Sequence, residues 1–367
     1  QISKSKRKLN KGMRIIILLL LNTLIACDTE MNETNQDPPT ETSVYFPPIN
    51  SNEWETQSQE SLNWDTNKLQ DLVNYLDQKS TKSFMILYRG RIVVESYFNG
   101  HTSSSPWYWA SAGKTLTTAI TGIAQAEGFI DINQQVSNYM GTGWTSAPPE
   151  KEAVITCKNL LNMTSGLDDS AGDGIAPSDL NYVADAGTRW AYHNVYVKLQ
   201  DVVSSAANQT WNNYFNQKLR DKIGMGGAWI QNNDLNVYWS NTRSMARFGL
   251  LISNEGNWNG TQIIPQNFLN EVINTSQNLN EAYGYMWWLN GKSSYRLPQT
   301  QVQFNGSLIP NAPNTMYCAL GKNDQKIYII PDRDLVIVRM GEAADNQNFA
   351  LSNFDNELWG YINEVIN

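Results

Sequence analysis

Histidine and cysteine are scarce in this chain. Its 367 residues include 2 histidines, His101 and His193, and 3 cysteines, Cys27, Cys157 and Cys318. No Cys/His cluster has metal-ligand spacing, so no metal is expected and a zinc hydrolase is an unsuitable description. Cys157 and Cys318 lie in apolar surroundings and fit one disulfide or two buried thiols equally well. Basic residues are also few, 27 Lys and Arg against 35 Asp and Glu, a net charge of −8. The apolar run Ile15 to Leu21 is too short for a comfortable membrane span. What remains is 41% hydrophobic, with Trp 13 and Tyr 17, ample for a large packed core.

The start of the chain differs in kind. Lys4, Lys6, Arg7, Lys8, Lys11 and Arg14 precede the apolar run, and Leu24-Ile25-Ala26-Cys27 follows it. A basic segment, a short apolar segment and a small residue before a cut form an export signal. Leu-x-Ala-Cys resembles a bacterial lipoprotein box, which implies lipidation of Cys27. An ordinary signal peptide or a buried apolar segment is the alternative, and Met13 is a candidate start. The expected organisation is a signal peptide over 1–26, a flexible Asn-, Thr-, Ser- and Pro-rich tether over 27–60, and one domain over 61–367. The expected address is the membrane, on the periplasmic or cell-surface side. Loss of residues 1–26 leaves 21 basic against 35 acidic residues, a balance of −14. Such a chain repels phosphate, so no nucleic-acid partner is expected.

Hydrophobic spacing predicts a helix over 66–78 and strands over 84–88 and 92–97 around an Arg89-Gly90 turn. It predicts a long helix from near Ser111 to Gly128 and a mainly helical stretch over 135–280. Strand character returns at 285–289, 316–320, 326–330 and 335–339, before a closing helix over 354–366. Early strands, a helical middle and late strands predict an α+β fold, its antiparallel sheet built from both chain ends.

Three short elements carry chemistry. In Ser111-Ala112-Gly113-Lys114 a hydroxyl and an amine three residues apart share one helix face. A serine beside a lysine base is the minimum kit for nucleophilic catalysis, provided desolvation or a second cation lets the lysine lose its proton. The same tetrapeptide also fits a serine N-cap with a solvated lysine. Gly113-Lys114-Thr115 does not complete a phosphate-binding loop, because Tyr108 occupies the position of the required earlier glycine. The second element is Gly187-Thr-Arg-Trp-Ala-Tyr192-His193-Asn194. A Ser-His-Asp arrangement through His193 is disfavoured, since Trp109 replaces the first glycine of a serine elbow. The third is Ala319-Leu-Gly321-Lys322-Asn323-Asp-Gln325, at the end of one late strand and before the next.

In this order the three elements resemble the serine β-lactamase and penicillin-binding-protein superfamily, and most closely its class C-like branch. Ile155–Leu167, Ser240–Leu250 and Tyr328–Val336 add to the resemblance, which runs from about Trp54 to the C-terminus. It implies a β-lactamase/transpeptidase-like fold with a helical subdomain, no cofactor, and a small amide or ester substrate, peptidoglycan-derived compounds included. It implies Ser111 as nucleophile, Lys114 as base, and Tyr192 as a shared base and then the acid. Lys114 would supply the positive charge that a phenol needs to act near neutrality. Asn194 would contact Lys114 or substrate, and the N–H groups of Ser111 and Lys322 would bind the oxyanion. The branch's Lys-Thr-Gly strand motif is replaced by Gly321-Lys322-Asn323, which is more similar to 6-aminohexanoate-dimer hydrolase and related esterases. The expectation is a serine amidase or esterase. A D-alanyl-D-alanine carboxypeptidase or weak β-lactamase, and a catalytically silent binding relative, are the alternatives.

Overall fold

The computed structural model describes residues 43–345 and 350–366. Cys27, the expected leader and the first part of the expected tether lie outside them. Helix α1, Thr66–Gln78, starts where the Asp65 carboxylate accepts the N–H groups of Asn67 and Lys68 at 2.9 and 3.2 Å. That cap satisfies two of the orphan donors of the first turn. The helix then buries Leu72 and Leu76. Strands β1, Thr81–Tyr88, and β2, Arg91–Tyr97, follow. Arg89 and Gly90 link them with φ of 46° and 79°, the left-handed pair of a tight hairpin turn.

Strand β3, Trp107–Tyr108, leads through a 3₁₀ turn, Ala110–Gly113, into α2, Lys114–Ala126. Helix α2 is buried from Lys114 through Ala124, so it is a core helix rather than an amphipathic surface one. Helix α3, Tyr196–Ala207, packs against it. A hairpin of β4, Ala228–Asn232, and β5, Leu235–Ser240, then pairs through β5 with β3. This hairpin lies inside the stretch expected to be mainly helical. The signal was present in Trp229-Ile-Gln-Asn-Asn-Asp-Leu-Asn-Val-Tyr-Trp239, whose Asn233 takes φ 52° at the turn.

Helix α4, Thr242–Ser253, precedes the late strands β6, Trp288–Leu289, β7, Tyr317–Gly321, β8, Gln325–Ile330, and β9, Leu335–Gly341; α5, Asn353–Ile366, closes the described chain. The main sheet has six antiparallel strands in the order β2-β1-β9-β8-β7-β6, built from both ends of the chain as expected. Its centre is buried on both faces. Helix α4 packs on β8 and β9 from one side, while Tyr328 of β8 meets Trp359 of α5 on the other, ring centres 5.6 Å apart. The expected strand at 285–289 shrinks to two residues because Met286 has φ 58°, which breaks extended geometry.

The expected tether boundary at residue 60 moves back. Residues 45–57 are strapped to the domain: Tyr45 N donates to Arg89 O, Ile92 N to Glu55 O, and Gln57 N to Ile92 O, each at 2.9 Å. The buried Arg247 donates to the carbonyls of Pro47 at 3.2 Å and Pro48 at 2.8 Å. A polar composition suggested a free chain here, but the strap's backbone groups find partners on the sheet edge and at this guanidinium. Cys157 and Cys318 are free and buried, which settles the disulfide alternative in favour of two thiols.

Candidate active site

The site begins with a strained turn. Ala110 has φ 47°, a left-handed conformation that costs a non-glycine residue of order 1 kcal/mol. Trp109, fully buried, anchors the turn: its N–H donates to Tyr238 O at 2.9 Å and its indole to Ser240 Oγ at 2.8 Å. The next residue after Ala110 is Ser111, half-exposed within the 3₁₀ turn. Lys114 opens α2 one turn later. The sequence spacing of three thus becomes a contact, with Lys114 Nζ donating to Ser111 Oγ at 2.7 Å.

Lys114 is only 2% exposed. Burial pulls its ammonium down to about 7 from an ordinary 10.5, while the Asp173 carboxylate pulls the other way. Its nitrogen also donates to Asn194 Oδ1 at 2.8 Å and lies 5.0 and 4.8 Å from the ring centres of Tyr192 and Tyr196. The two rings and the core helix exclude water that would otherwise hold the proton on the amine. The alternative of a solvated lysine is therefore removed.

Tyr192 stacks on Trp288 at 5.7 Å and meets Tyr283 edge-on at 6.0 Å, which fixes the phenol beside Ser111. Burial pushes the phenol up to about 12, opposed by a hydrogen bond with Ser111. Lost solvation is the dominant influence at this phenol. His193 points elsewhere. Its ring nitrogen Nε2 lies 3.4 Å from Ser165 Oγ, and burial lowers its imidazole to about 4 despite the opposing Asp169 carboxylate.

The end of β7 closes the site from the other side. A Cβ on Gly321 would lie 2.4 Å from Trp109 O and 3.0 Å from Ala112 N, so only glycine lets this strand approach the nucleophile turn so closely. Lys322 follows and is exposed on the rim rather than turned into the core. Asn323, φ 60°, donates from Nδ2 to Tyr108 Oη at 2.6 Å and ties the strand end to β3. Beneath this turn Lys326 bridges Asp324 at 3.1 Å and Asp355 at 2.8 Å, all fully buried, so a rigid ionic knot supports the loop.

A cavity of about 560 Å³ opens over Ser111 and Lys114. Tyr108, Ile230, Leu235, Val237 and Trp239 give it an apolar wall, and Asp173, Asn194, Lys322 and Asn323 contribute polar groups. The structure thus brings Ser111, Lys114, Tyr192, Asn194 and Gly321 together and leaves Lys322 at the edge. Sequence reasoning missed Asp173, Tyr196 and the β4–β5 wall. Tyr196 stands four residues after Tyr192, and the hairpin had its own turn signal. Asp173 had none, because only the folded loop places it near Asn194. No group of three or more His, Cys, Asp or Glu among the described residues is arranged to hold a metal ion.

The chain matches the family model described as Beta-lactamase over residues 70–356. An uncharacterized protein of Alkalihalophilus pseudofirmus is 23% identical over 300 residues, 71% of this chain and 83% of that protein. A structure assigned as a 6-aminohexanoate-dimer hydrolase from Bacillus anthracis is similar in fold, with TM-score 0.66 and 20% identity, covering 87% of this chain and 89% of that one. The fold is also similar to that of EstCE1, described as a hydrolase with promiscuous acyltransferase activity, with TM-score 0.61, 11% identity, and coverage of 84% and 99%. The chain belongs to the Beta-lactamase family and is a serine hydrolase of β-lactamase-like α+β fold.

Proposed function

We propose that the protein cleaves a small amide or ester through an acyl-enzyme on Ser111. The observation that carries this reading is the buried Lys114 amine, near neutrality and 2.7 Å from the Ser111 hydroxyl. Neutral Lys114 takes the Ser111 proton as Oγ attacks the carbonyl carbon. The oxyanion forms against the N–H groups of Ser111 and Lys322, at the turn that Gly321 allows to close. Tyr192 remains a phenol and passes a proton to the leaving amine or alcohol, receiving one from Lys114 in turn. Water then attacks the acyl carbon, the same groups move the protons back, and acid plus free Ser111 are regenerated.

The substrate side rests on the cavity. Its apolar wall suits an apolar acyl or alkyl group, and the Lys-Thr-Gly grip on a substrate carboxylate is absent. The favoured substrates are therefore short acyl esters or amides. A cell-wall D,D-peptidase or weak β-lactamase draws support from one feature, the rim position of Lys322, where its charge could meet a carboxylate. Kinetics on p-nitrophenyl esters and anilides of two to eight carbons, beside benzylpenicillin, separates the readings. Ester or amide turnover lost in Ser111→Ala, with no penicillin acylation, supports the first; stable penicillin acylation supports the second. No turnover and no acylation supports a silent relative.

The basic and apolar leader and the Leu24–Cys27 box support an exported protein anchored through lipid on Cys27. No described helix is long and apolar enough to cross a membrane. Incorporation of labelled palmitate that disappears in Cys27→Ser tests the anchor.

A further inference from the structure

Two hydrogen bonds extend the site beyond the residues with assigned roles. Lys114 Nζ donates to Asn194 Oδ1 at 2.8 Å, and Asn194 Nδ2 donates to Asp173 Oδ1 at 3.2 Å. Asp173 stands on the loop that follows Ser170 and lines the cavity over Ser111. The three side chains form one line from the base to an exposed carboxylate.

We propose that Asp173 is a positioning residue that holds the Asn194 amide in one orientation and so keeps the Lys114 lone pair free for the Ser111 proton. The inference rests on the reading of Ser111 and Lys114 as nucleophile and base. An ammonium only donates, so charged Lys114 by itself selects the oxygen of Asn194. A neutral amine also accepts, and then nothing in Lys114 prevents the amide from rotating and donating its N–H to the lone pair. That bond would occupy the pair needed for the serine proton. A carboxylate only accepts, so Asp173 retains the NH₂ end at every stage of the cycle. The constraint operates when Lys114 is neutral, which is when catalysis needs it.

The same carboxylate acts on Lys114 as a negative charge. The other groups facing the amine are Ser111, Tyr192 and Tyr196, while the His193 imidazole, turned to Ser165, senses its charge from farther off. Beyond them lie Asp168, Asp169 and Arg189 around His193, and Lys322 on the cavity rim. Of these, burial keeps Tyr192, Tyr196 and His193 uncharged near neutral pH. Removing the Asp173 charge therefore favours the neutral amine and moves the acid limb of activity to lower pH.

The test uses residues 28–367, without the expected leader and lipidated cysteine, with an ester substrate and full pH profiles of kcat and KM. Asp173→Asn keeps an acceptor but loses the charge. Its acid limb is expected to fall by about half a pH unit, the size of a screened interaction with an exposed carboxylate. Asp173→Ala removes the acceptor as well and is expected to lower kcat about tenfold with KM little changed. In an Asn194→Ala background the amide is gone, and Asp173→Ala is expected to cost less than twofold in kcat. Equal losses from Asp173→Ala in both backgrounds, or an unmoved acid limb in Asp173→Asn, would overturn the proposal. Labelling of Ser111 by a fluorophosphonate in each variant separates this from the underlying reading: labelling that persists with an unmoved profile rejects Asp173 alone.

Discussion

Lys114 Nζ lies 2.7 Å from Ser111 Oγ while only 2% of the lysine surface meets solvent. Proximity alone makes an ion–dipole contact. Proximity with burial makes a base, because the charged form has lost its hydration. The remainder of the site surrounds this pair: Trp109 anchors the turn, Asn194 accepts from the amine, and Gly321 lets the end of β7 approach the turn closely.

Loss of either member is expected to abolish turnover while leaving the fold intact. Ser111→Ala and Lys114→Ala should each reduce kcat/KM for an acyl ester by at least about a thousandfold. Tyr192→Phe should reduce it about a hundredfold, the usual scale for one positioned acid. Steady-state kinetics on folded variants, checked by circular dichroism, measures these losses.

The lowered lysine sets a pH dependence for activity. In the proposed mechanism neutral Lys114 takes the serine proton, so kcat/KM should rise with pH through about 7 and then level. Tyr192, pushed up to about 12, adds no descending limb near neutrality. A profile on an ester with a pH-independent leaving group tests this shape.

The same shift is a cost to the fold. Between about 7 and the ordinary 10.5 the unfolded chain holds a proton on Lys114 that the folded chain has lost. This group's contribution to stability therefore improves as pH rises across that window, and below it the penalty is constant. Lys114→Met should be more stable than the native chain at pH 6, by on the order of a few kcal/mol, with the gap narrowing toward pH 10. Urea unfolding at both pH values reads the difference.

Gly321→Ala tests the strand approach. The added methyl would meet Trp109 O at 2.4 Å, and backbone atoms cannot swing aside as a side-chain tip does. The expected result is a loss of activity of a hundredfold or more and destabilisation of about 1–3 kcal/mol. Thermal melts beside ester kinetics check both.

Arg247 tests the strap. Burial pulls its guanidinium down to about 10, and its donors hold the carbonyls of Pro47, Pro48 and Ile223. Arg247→Met should leave those carbonyls unpaired and destabilise the domain by about 2–4 kcal/mol. Limited proteolysis should then cut first within residues 45–57, at a protease concentration that leaves the native chain whole.

Much of this architecture was legible in the sequence because the relevant signals are local. The Arg89-Gly90 turn specifies its own hairpin, and Leu69, Leu72, Val73 and Leu76 repeat at helical spacing. The Ser111–Lys114 pair is also local, since three residues of a helical turn bring the two groups together without help from the fold. The strap was misread because its order comes from distant partners, Ile92 and Arg247, that composition does not reveal. The β4–β5 hairpin was hidden inside a stretch of helices, although its alternating pattern and Asn-Asn-Asp turn were present. Lys114's lowered proton affinity and Tyr192's raised one depend on burial, which sequence spacing does not supply. Asp173 was invisible for a related reason: only the folded loop brings it to Asn194 and the cavity.

The most direct test of the central claim is intact-mass analysis with peptide mapping after treatment with a fluorophosphonate. The account predicts one adduct per chain, located on Ser111, forming faster as pH rises through about 7 and absent from Ser111→Ala. An adduct on another residue, or equal labelling of Ser111→Ala, would contradict it.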